Sequence, residues 1–60
     1  MAKVEDTIRI ISMNGEPDYE GRVGVVECID AVGQIHGTWG GLALIPEKDS
    51  YVVITKKEED

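Results

Sequence analysis

Residues 29–46 constrain the fold of this chain more than any other part of the sequence, because they place two glycine turns around one short strand. Gly33 ends the first turn, and Gly40 and Gly41 separate Trp39 from the next apolar run. Glycine adopts a positive φ without the steric cost of a Cβ, as the primed turns of tight β-hairpins require. The segment therefore predicts successive antiparallel strands.

The strand between these turns shows a clear alternation. Residues 34–39 alternate polar side chains with apolar or small ones, and successive side chains of a strand point to opposite faces. We expect Ile35 and Trp39 to face the core. The outer face is expected to carry Gln34, His36 and Thr38.

Other apolar runs predict four further strands, over residues 7–13, 21–29, 42–45 and 51–54. A change of apolar phase between Val26 and Ile29 indicates a bulge in the second strand. Residues 14–20 are rich in turn formers and predict a long loop. Residues 46–50 begin with a proline and are expected to form one turn of 3₁₀ helix before the last strand.

This order of elements predicts an all-β fold, a small five-stranded SH3-like barrel with short hairpins. Closing the sheet protects the strand edges of so small a protein. All 60 residues form one domain, with an ordered core of about residues 7–55. The polar N-terminal residues and the charged tail 56–60 are expected to fray. The predicted core contributors are Ile10, Val26, Ile35, Trp39, Leu44 and Val53.

Composition narrows the possible partners and location. Twelve acidic and six basic side chains give a formal charge of −6, which disfavours binding to nucleic acid. The single cysteine cannot form an intramolecular disulfide, and no N-terminal apolar run resembles a signal peptide or a membrane span. We therefore expect a cytoplasmic protein without membrane contact. The small core also makes a homo-oligomer a candidate assembly.

Several strings of the sequence resemble the bacterial and phage DUF4314 family, whose members are small proteins of unknown function. The resemblance covers about three quarters of the chain. Its specific part is the string GQIH followed by Trp39 and GLALIP, supported by RIISM near residue 9 and GRVGVV near residue 21. A longer polar turn after the tryptophan is common in the family, whereas this chain has only Gly40 and Gly41. The resemblance implies an SH3-like fold and an origin in bacteria, phages or mobile elements, and it implies no activity.

No residue set in the sequence predicts catalysis or a cofactor. His36 is the only histidine, and a general base requires a positioned partner that the sequence does not identify. Cys28 is expected on the neighbouring strand without a defined geometry. Zinc is usually bound by about four cysteine or histidine ligands, and calcium by regularly spaced acidic residues, so no metal site is predicted. We expect a protein that is not an enzyme.

A protein-interaction module is the function that the sequence favours. Tyr19 lies in the long loop without a core register, and it is expected either to contact a partner or to cover an open barrel end. An alternative is a small acidic inhibitor that imitates nucleic acid and acts on a host enzyme. A third is a nucleic-acid-binding barrel. The predicted partner-binding residues are Asp18, Tyr19, Glu20, Gln34, His36 and Thr38.

Overall fold

The computed structural model describes residues 2–57 and contains one open antiparallel sheet of four strands. The strands are β1 (Thr7–Ser12), β2 (Val23–Ile29), β3 (Ile35–Gly37) and β4 (Ser50–Thr55), in the order β3-β2-β1-β4. The only helical element in this range is a 3₁₀ turn, Pro17–Tyr19. No helix within residues 2–57 is long and apolar enough to cross a membrane.

Alternation in β1 and β2 places the core on one face of the sheet. Ile8, Ile10 and Val26 are fully buried, whereas their neighbours along the strands face outward. Five of the six predicted core residues are confirmed as buried, and Val53 packs against the core while remaining partly exposed. The buried hydrophobic residues are Ala2, Ile8, Ile10, Met13, Val26, Ile35, Trp39 and Leu44.

The predicted bulge in β2 is confirmed. The register between β2 and β3 shifts between Val26 and Cys28, which lets Val26 and Ile29 both turn inward despite their odd spacing. The turn after β2 also follows the prediction. Gly33 adopts φ 86°, and its N–H donates to Asp30 O at 3.0 Å.

The predicted strand over residues 42–45 does not form, and a closed five-stranded barrel is not confirmed. Only Leu44 pairs with Ile35, through two backbone hydrogen bonds of 2.9 and 2.8 Å. The next N–H, that of Ile45, donates to the Asp49 carboxylate at 2.7 Å, and Pro46 has no N–H. In an antiparallel pair alternate residues donate to the same neighbouring strand, so after Leu44 the next donor to β3 would be Pro46, whose missing N–H ends the pairing there.

Two further expectations near this segment are wrong. The 3₁₀ helix lies at Pro17–Tyr19, and the segment before β4 forms hydrogen-bonded turns in which Ile45 O accepts from the N–H groups of Lys48 and Asp49. Gly40 has a positive φ of 149°, yet no strand follows it, so no hairpin forms there. The Trp39 indole N–H instead donates to Leu42 O at 2.9 Å and closes this turn.

The N-terminal segment is packed against the sheet, contrary to the expectation that it frays. Ala2 is buried, and its N–H donates to the Tyr51 hydroxyl at 3.1 Å. The buried Asp6 carboxylate accepts from the N–H groups of Lys3 at 2.9 Å and Lys57 at 3.0 Å. Part of the predicted charged tail, residues 58–60, lies outside the described residues.

Candidate interaction site

The 3₁₀ turn fixes Tyr19 at the end of the loop that follows β1. Pro17 occupies its first position, where a missing N–H removes no helical hydrogen bond. The Tyr19 N–H donates to Glu16 O at 3.1 Å, and Gly21 donates to Ile10 O at 2.8 Å. This last bond anchors the loop to β1, so the Tyr19 ring packs against the edge of the core and remains half-buried.

Arg22 holds the outer side of the Tyr19 ring. Its guanidinium carbon lies 4.0 Å from the ring centroid, a cation–π geometry. Nη1 donates to Trp39 O at 2.8 Å and Nε donates to Asp18 O at 3.3 Å. The planar guanidinium therefore joins the loop, the aromatic ring and the turn after β3 in one arrangement.

Gly40 completes this arrangement from the other side. A Cβ atom built on Gly40 would lie 2.7 Å from the Tyr19 hydroxyl oxygen and 2.9 Å from Arg22 Nη1. Only a glycine lets the backbone approach the ring so closely. We name the surface formed by Asp18, Tyr19, Glu20, Arg22 and Gly40 the Tyr19–Arg22 platform.

The predicted binding residues of the third strand precede Gly40 of the platform in the sequence, and each makes a different contact. Thr38 is exposed, and its hydroxyl accepts a hydrogen bond from the Val25 N–H at 2.9 Å, which supports the β2–β3 pairing. Gln34 is half-buried, and its backbone N–H, not its side chain, donates to Asp30 Oδ1 at 2.9 Å. The side chain of His36 is 43% exposed and forms a cross-turn pair with Asp30.

Asp30 organises the turn between β2 and β3. Its Oδ2 accepts from Nε2 of His36 at 2.9 Å, and its Oδ1 accepts from the N–H groups of Val32 and Gln34. The hydrogen bond to His36, followed by the one from Gln34, lowers the pKa of Asp30 below its usual 3.8. His36 is thereby oriented by a carboxylate, and the pair remains in contact with solvent.

Cys28 lies directly opposite His36 in the β2–β3 register and is exposed. Side chains of such a pair share a face of the sheet. Nucleophilic catalysis requires the thiol and the imidazole to be joined by a hydrogen bond, and within residues 2–57 the imidazole hydrogen bond is with Asp30. The same range contains no group of three or more His, Cys, Asp or Glu side chains arranged to bind a metal ion.

An open depression of about 330 Å³ adjoins the loop that carries the platform. Met13, Pro17, Glu20 and Lys48 contribute to its lining. Glu20 therefore belongs both to the rim of the platform and to the wall of this depression.

Two groups of acidic residues have different roles. Asp49 is 8% exposed, and its two carboxylate oxygens accept from the N–H groups of Asn14 and Ile45 at 2.8 and 2.7 Å. The carboxylates of Asp6 and Asp30 also accept hydrogen bonds from backbone N–H groups. The exposed acidic side chains around the 3₁₀ turn are Glu16, Asp18 and Glu20.

The sequence did not predict two residues of the candidate site, Arg22 of the platform and Asp30 of the turn between β2 and β3. Arg22 follows Tyr19 by three positions, a spacing at which a turn brings a cation over an aromatic ring, and this was the available signal. Asp30 and His36 lie on either side of the Gly33 turn, and the Asp30 carboxylate reaches the imidazole although the strand register places Cys28 opposite His36. The interpretation of Trp39 as a core residue is confirmed, since it is 4% exposed.

Comparisons of the chain with protein-family models, with curated proteins and with solved structures give no match.

Proposed function

We propose that this chain is a non-catalytic protein-interaction module of bacterial, phage or mobile-element origin. The observation that carries the proposal is the half-buried Tyr19 ring, which Arg22 holds in place through the Asp18 and Trp39 carbonyls. An SH3-like fold and membership of the DUF4314 family belong to this proposal. Its support is the order of the strands and the Leu44 bridge to β3.

Preorganisation is the first argument for binding at the Tyr19–Arg22 platform. An aromatic ring has few rotatable bonds, and the stacked guanidinium restricts them further, so little side-chain entropy is lost when a partner binds. Tyrosine and arginine are also the residue types that are enriched among the dominant contacts of protein interfaces. The platform therefore combines two anchors in one place.

The surroundings of the platform provide the second argument. Asp18 and Glu20 are exposed on either side of Tyr19 in the chain, and polar residues around an aromatic anchor are typical of interface rims. The open depression beside Glu20 offers a concave surface. We propose that the same partner also contacts the third strand through Gln34, His36 and Thr38.

A small acidic inhibitor is the alternative function. The exposed cluster of Glu16, Asp18 and Glu20 favours it, because three carboxylates within five residues could imitate phosphate charges. The engagement of Asp30 and Asp49 with backbone donors weighs against it, since these two carboxylates hold turns of the fold. Nucleic-acid binding is the third candidate, and the formal charge of −6 disfavours it.

Binding of purified variants to a partner captured from a host lysate tests the proposal. Tyr19→Ala should weaken binding by at least tenfold, because it removes the anchor, whereas Tyr19→Phe should retain most of the affinity. His36→Ala should have a smaller effect, of two- to fivefold at about 0.5–1 kcal/mol. Glu47→Ala, an exposed change on the turn before β4, is the matched control.

Salt separates the two leading functions. For the interaction module, affinity should depend mainly on Tyr19 at both low and high ionic strength. For the acidic inhibitor, affinity should fall steeply with salt, and the double variant Asp18→Lys, Glu20→Lys should lose binding while Tyr19→Ala does not. Unchanged binding by the Tyr19 and His36 variants, each shown to be folded by circular dichroism, would contradict the proposed surface.

A further inference from the structure

The outward face of the sheet formed by β2, β1 and β4 is strongly apolar. Within residues 2–57, eight large hydrophobic side chains are exposed, and five of them lie on these three strands, each between 38% and 52% exposed. Apolar side chains gathered on one face are candidates for contact with another molecule. We name it the outer sheet face; its apolar members are Ile11, Val23, Val25, Val52 and Ile54.

Strand register makes this face continuous. Arg9 of β1 pairs with Val23 of β2 on one side and with Val52 of β4 on the other. Directly opposed side chains in antiparallel strands lie about 4.5–5.5 Å apart at Cβ. Arg9 is therefore surrounded by aliphatic side chains. In the described part of the chain, the basic side chains in contact with a carboxylate are His36 with Asp30 and Lys57 with Glu5, so Arg9 takes part in neither contact.

The face carries opposite charges on the two sides of one central row. Thr7 and Val25 form that row. Arg9 lies two residues beyond Thr7 along β1, and Glu27 lies two residues beyond Val25 along β2. Because the two strands are antiparallel, Arg9 and Glu27 lie on opposite sides of the row. Each step of two residues spans about 7 Å. Like Arg9, the exposed Glu27 takes part in neither of those two contacts.

We propose that the outer sheet face associates with the same face of a second copy of this chain. The two-fold axis of this dimer runs above the Thr7–Val25 row, parallel to the sheet and perpendicular to the strands. It places the Arg9 end of one copy over the Glu27 end of the other. Arg9 of each copy then lies close to Glu27 of the other copy, one strand to the side, at a spacing of about 4.8 Å that long side chains span. The valine side chains of the two copies pack between these ion pairs.

The size of the face determines how strong this association is. Three strands and about six residues cover a footprint of roughly 300 Å², well below the ~800 Å² that each partner buries in a stable complex. The expected assembly is therefore a weak, concentration-dependent dimer. It does not depend on the function proposed for the Tyr19–Arg22 platform, since the two surfaces share no residue.

Sedimentation velocity and equilibrium of the full chain test this proposal. At physiological salt the wild type should be monomeric at about 10 μM and should form a dimer as the concentration approaches about 1 mM. A wild type that remains monomeric up to this concentration overturns the proposal and leaves the face to a different partner.

Charge exchange identifies the geometry of the dimer. Arg9→Glu and Glu27→Arg should each weaken dimerisation by at least fivefold, and the double variant should restore it. Lys48→Glu alters net charge as Arg9→Glu does but lies on the turn before β4, so it should weaken dimerisation much less. Glu27→Arg lowers the net repulsion between copies, and weakening in spite of this would identify a specific pair. Unrestored dimerisation in the double variant overturns the proposed arrangement.

A second pair of variants tests the apolar contact without changing charge. Val52→Thr keeps the branched shape of a strand residue but replaces a methyl group with a hydroxyl, and it should weaken the dimer severalfold. Val32→Thr is the matched control, because Val32 is exposed on the turn between β2 and β3, away from the outer sheet face. Equal effects of the two changes would contradict the proposal.

Discussion

At the residue scale, the buried Asp49 carboxylate joins two segments that lie far apart in the chain. It accepts the N–H of Asn14 after β1 and the N–H of Ile45 before β4. A buried donor that loses its partner carries the full cost of desolvation. One side chain therefore holds together two connections of the sheet.

Asp49→Ala should lower the free energy of unfolding by about 2–3 kcal/mol, because it leaves two backbone donors without a partner. Asp49→Asn keeps one acceptor oxygen and should cost about half as much. Urea denaturation followed by Trp39 fluorescence measures both effects. Glu47→Ala, an exposed change in the same turn, should stay within about 0.5 kcal/mol. Equal losses for Asp49→Ala and Glu47→Ala would contradict this role.

Three glycines test the backbone argument at the same scale. Gly40 has φ 149° and lies against Tyr19, and Gly15 has φ 78° in open space. Gly41 has neither a positive φ nor a close neighbour. The sequence predicts a tolerant Gly15, since it lies in a long loop, and its positive φ contradicts that expectation.

Gly40→Ala and Gly15→Ala should each destabilise the protein by about 1 kcal/mol or more, because L-residues are strained at these angles. Gly41→Ala should be nearly neutral. Thermal melts of the three variants provide the measurement. A loss at Gly41 as large as the loss at Gly40 would contradict the observed turn.

At the scale of the elements, Trp39 packs across β2 and β3 over two glycines. A Cβ on Gly24 would lie 2.9 Å from Trp39 N and 3.1 Å from the indole ring. A Cβ on Gly37 would overlap the indole and would lie 2.5 Å from Val25 O. Glycine in a strand often marks such a close approach. The two glycines therefore create the space that the only tryptophan occupies.

Gly37→Ala should displace the indole and lower the unfolding free energy by about 1–3 kcal/mol through overpacking. The Trp39 emission should shift to the red as the ring gains contact with water. Gly41→Ala serves as the control, and its emission should match that of the wild type. An unshifted spectrum for a folded Gly37→Ala protein would show that the ring does not depend on this space.

At the scale of the whole molecule, two carboxylates make stability depend on pH. The backbone N–H groups of Lys3 and then Lys57 lower the pKa of Asp6 below its usual 3.8, and the bond with His36 lowers that of Asp30. A carboxyl group whose pKa is lower in the folded state stabilises the fold above its unfolded pKa. This contribution disappears as pH falls through the lower folded value.

The stabilising contribution of these two groups should therefore be constant above about pH 5, and stability should fall as the pH drops below about 4. Urea midpoints measured from pH 7 to pH 3 give the profile. Asp6→Asn should reduce the fall of the urea midpoint at acid pH, whereas Glu16→Gln, a change at an exposed residue, should leave that fall unchanged. A fall that is identical in the wild type and Asp6→Asn would contradict the assigned role of Asp6.

Much of the sheet could be predicted from local patterns. The alternation at Ile8 and Ile10 and the phase change near Val26 depend only on which side chains must be buried away from water. These patterns predicted the burial of both isoleucines, the bulge in β2 and the first three strands. The final strand was also expected, and it extends one residue further at each end as Ser50–Thr55. The Gly33 turn followed from the conformational freedom of glycine.

The candidate site could be predicted only in part. Tyr19 and His36 were expected at the surface, and their partners Arg22 and Asp30 were not. These contacts depend on where a loop and a hairpin meet, which the spacing of apolar residues does not encode. The partner-binding role of all six predicted site residues stays a prediction.

The sequence alone determined the all-β character of this protein, the inward faces of β1 and β2 and the inward direction of Trp39, because each follows from the alternation of apolar residues along the chain. Only the tertiary structure decided that residues 42–45 form a single bridge to the sheet, at Leu44, and no strand. The Trp39 indole N–H donates to Leu42 O and the Asp49 carboxylate accepts the Ile45 N–H, so both ends of this segment are bonded to groups outside a strand. The local sequence pattern shows which side chains must be buried and which backbone groups need a hydrogen bond. The tertiary structure decides which atom forms that bond.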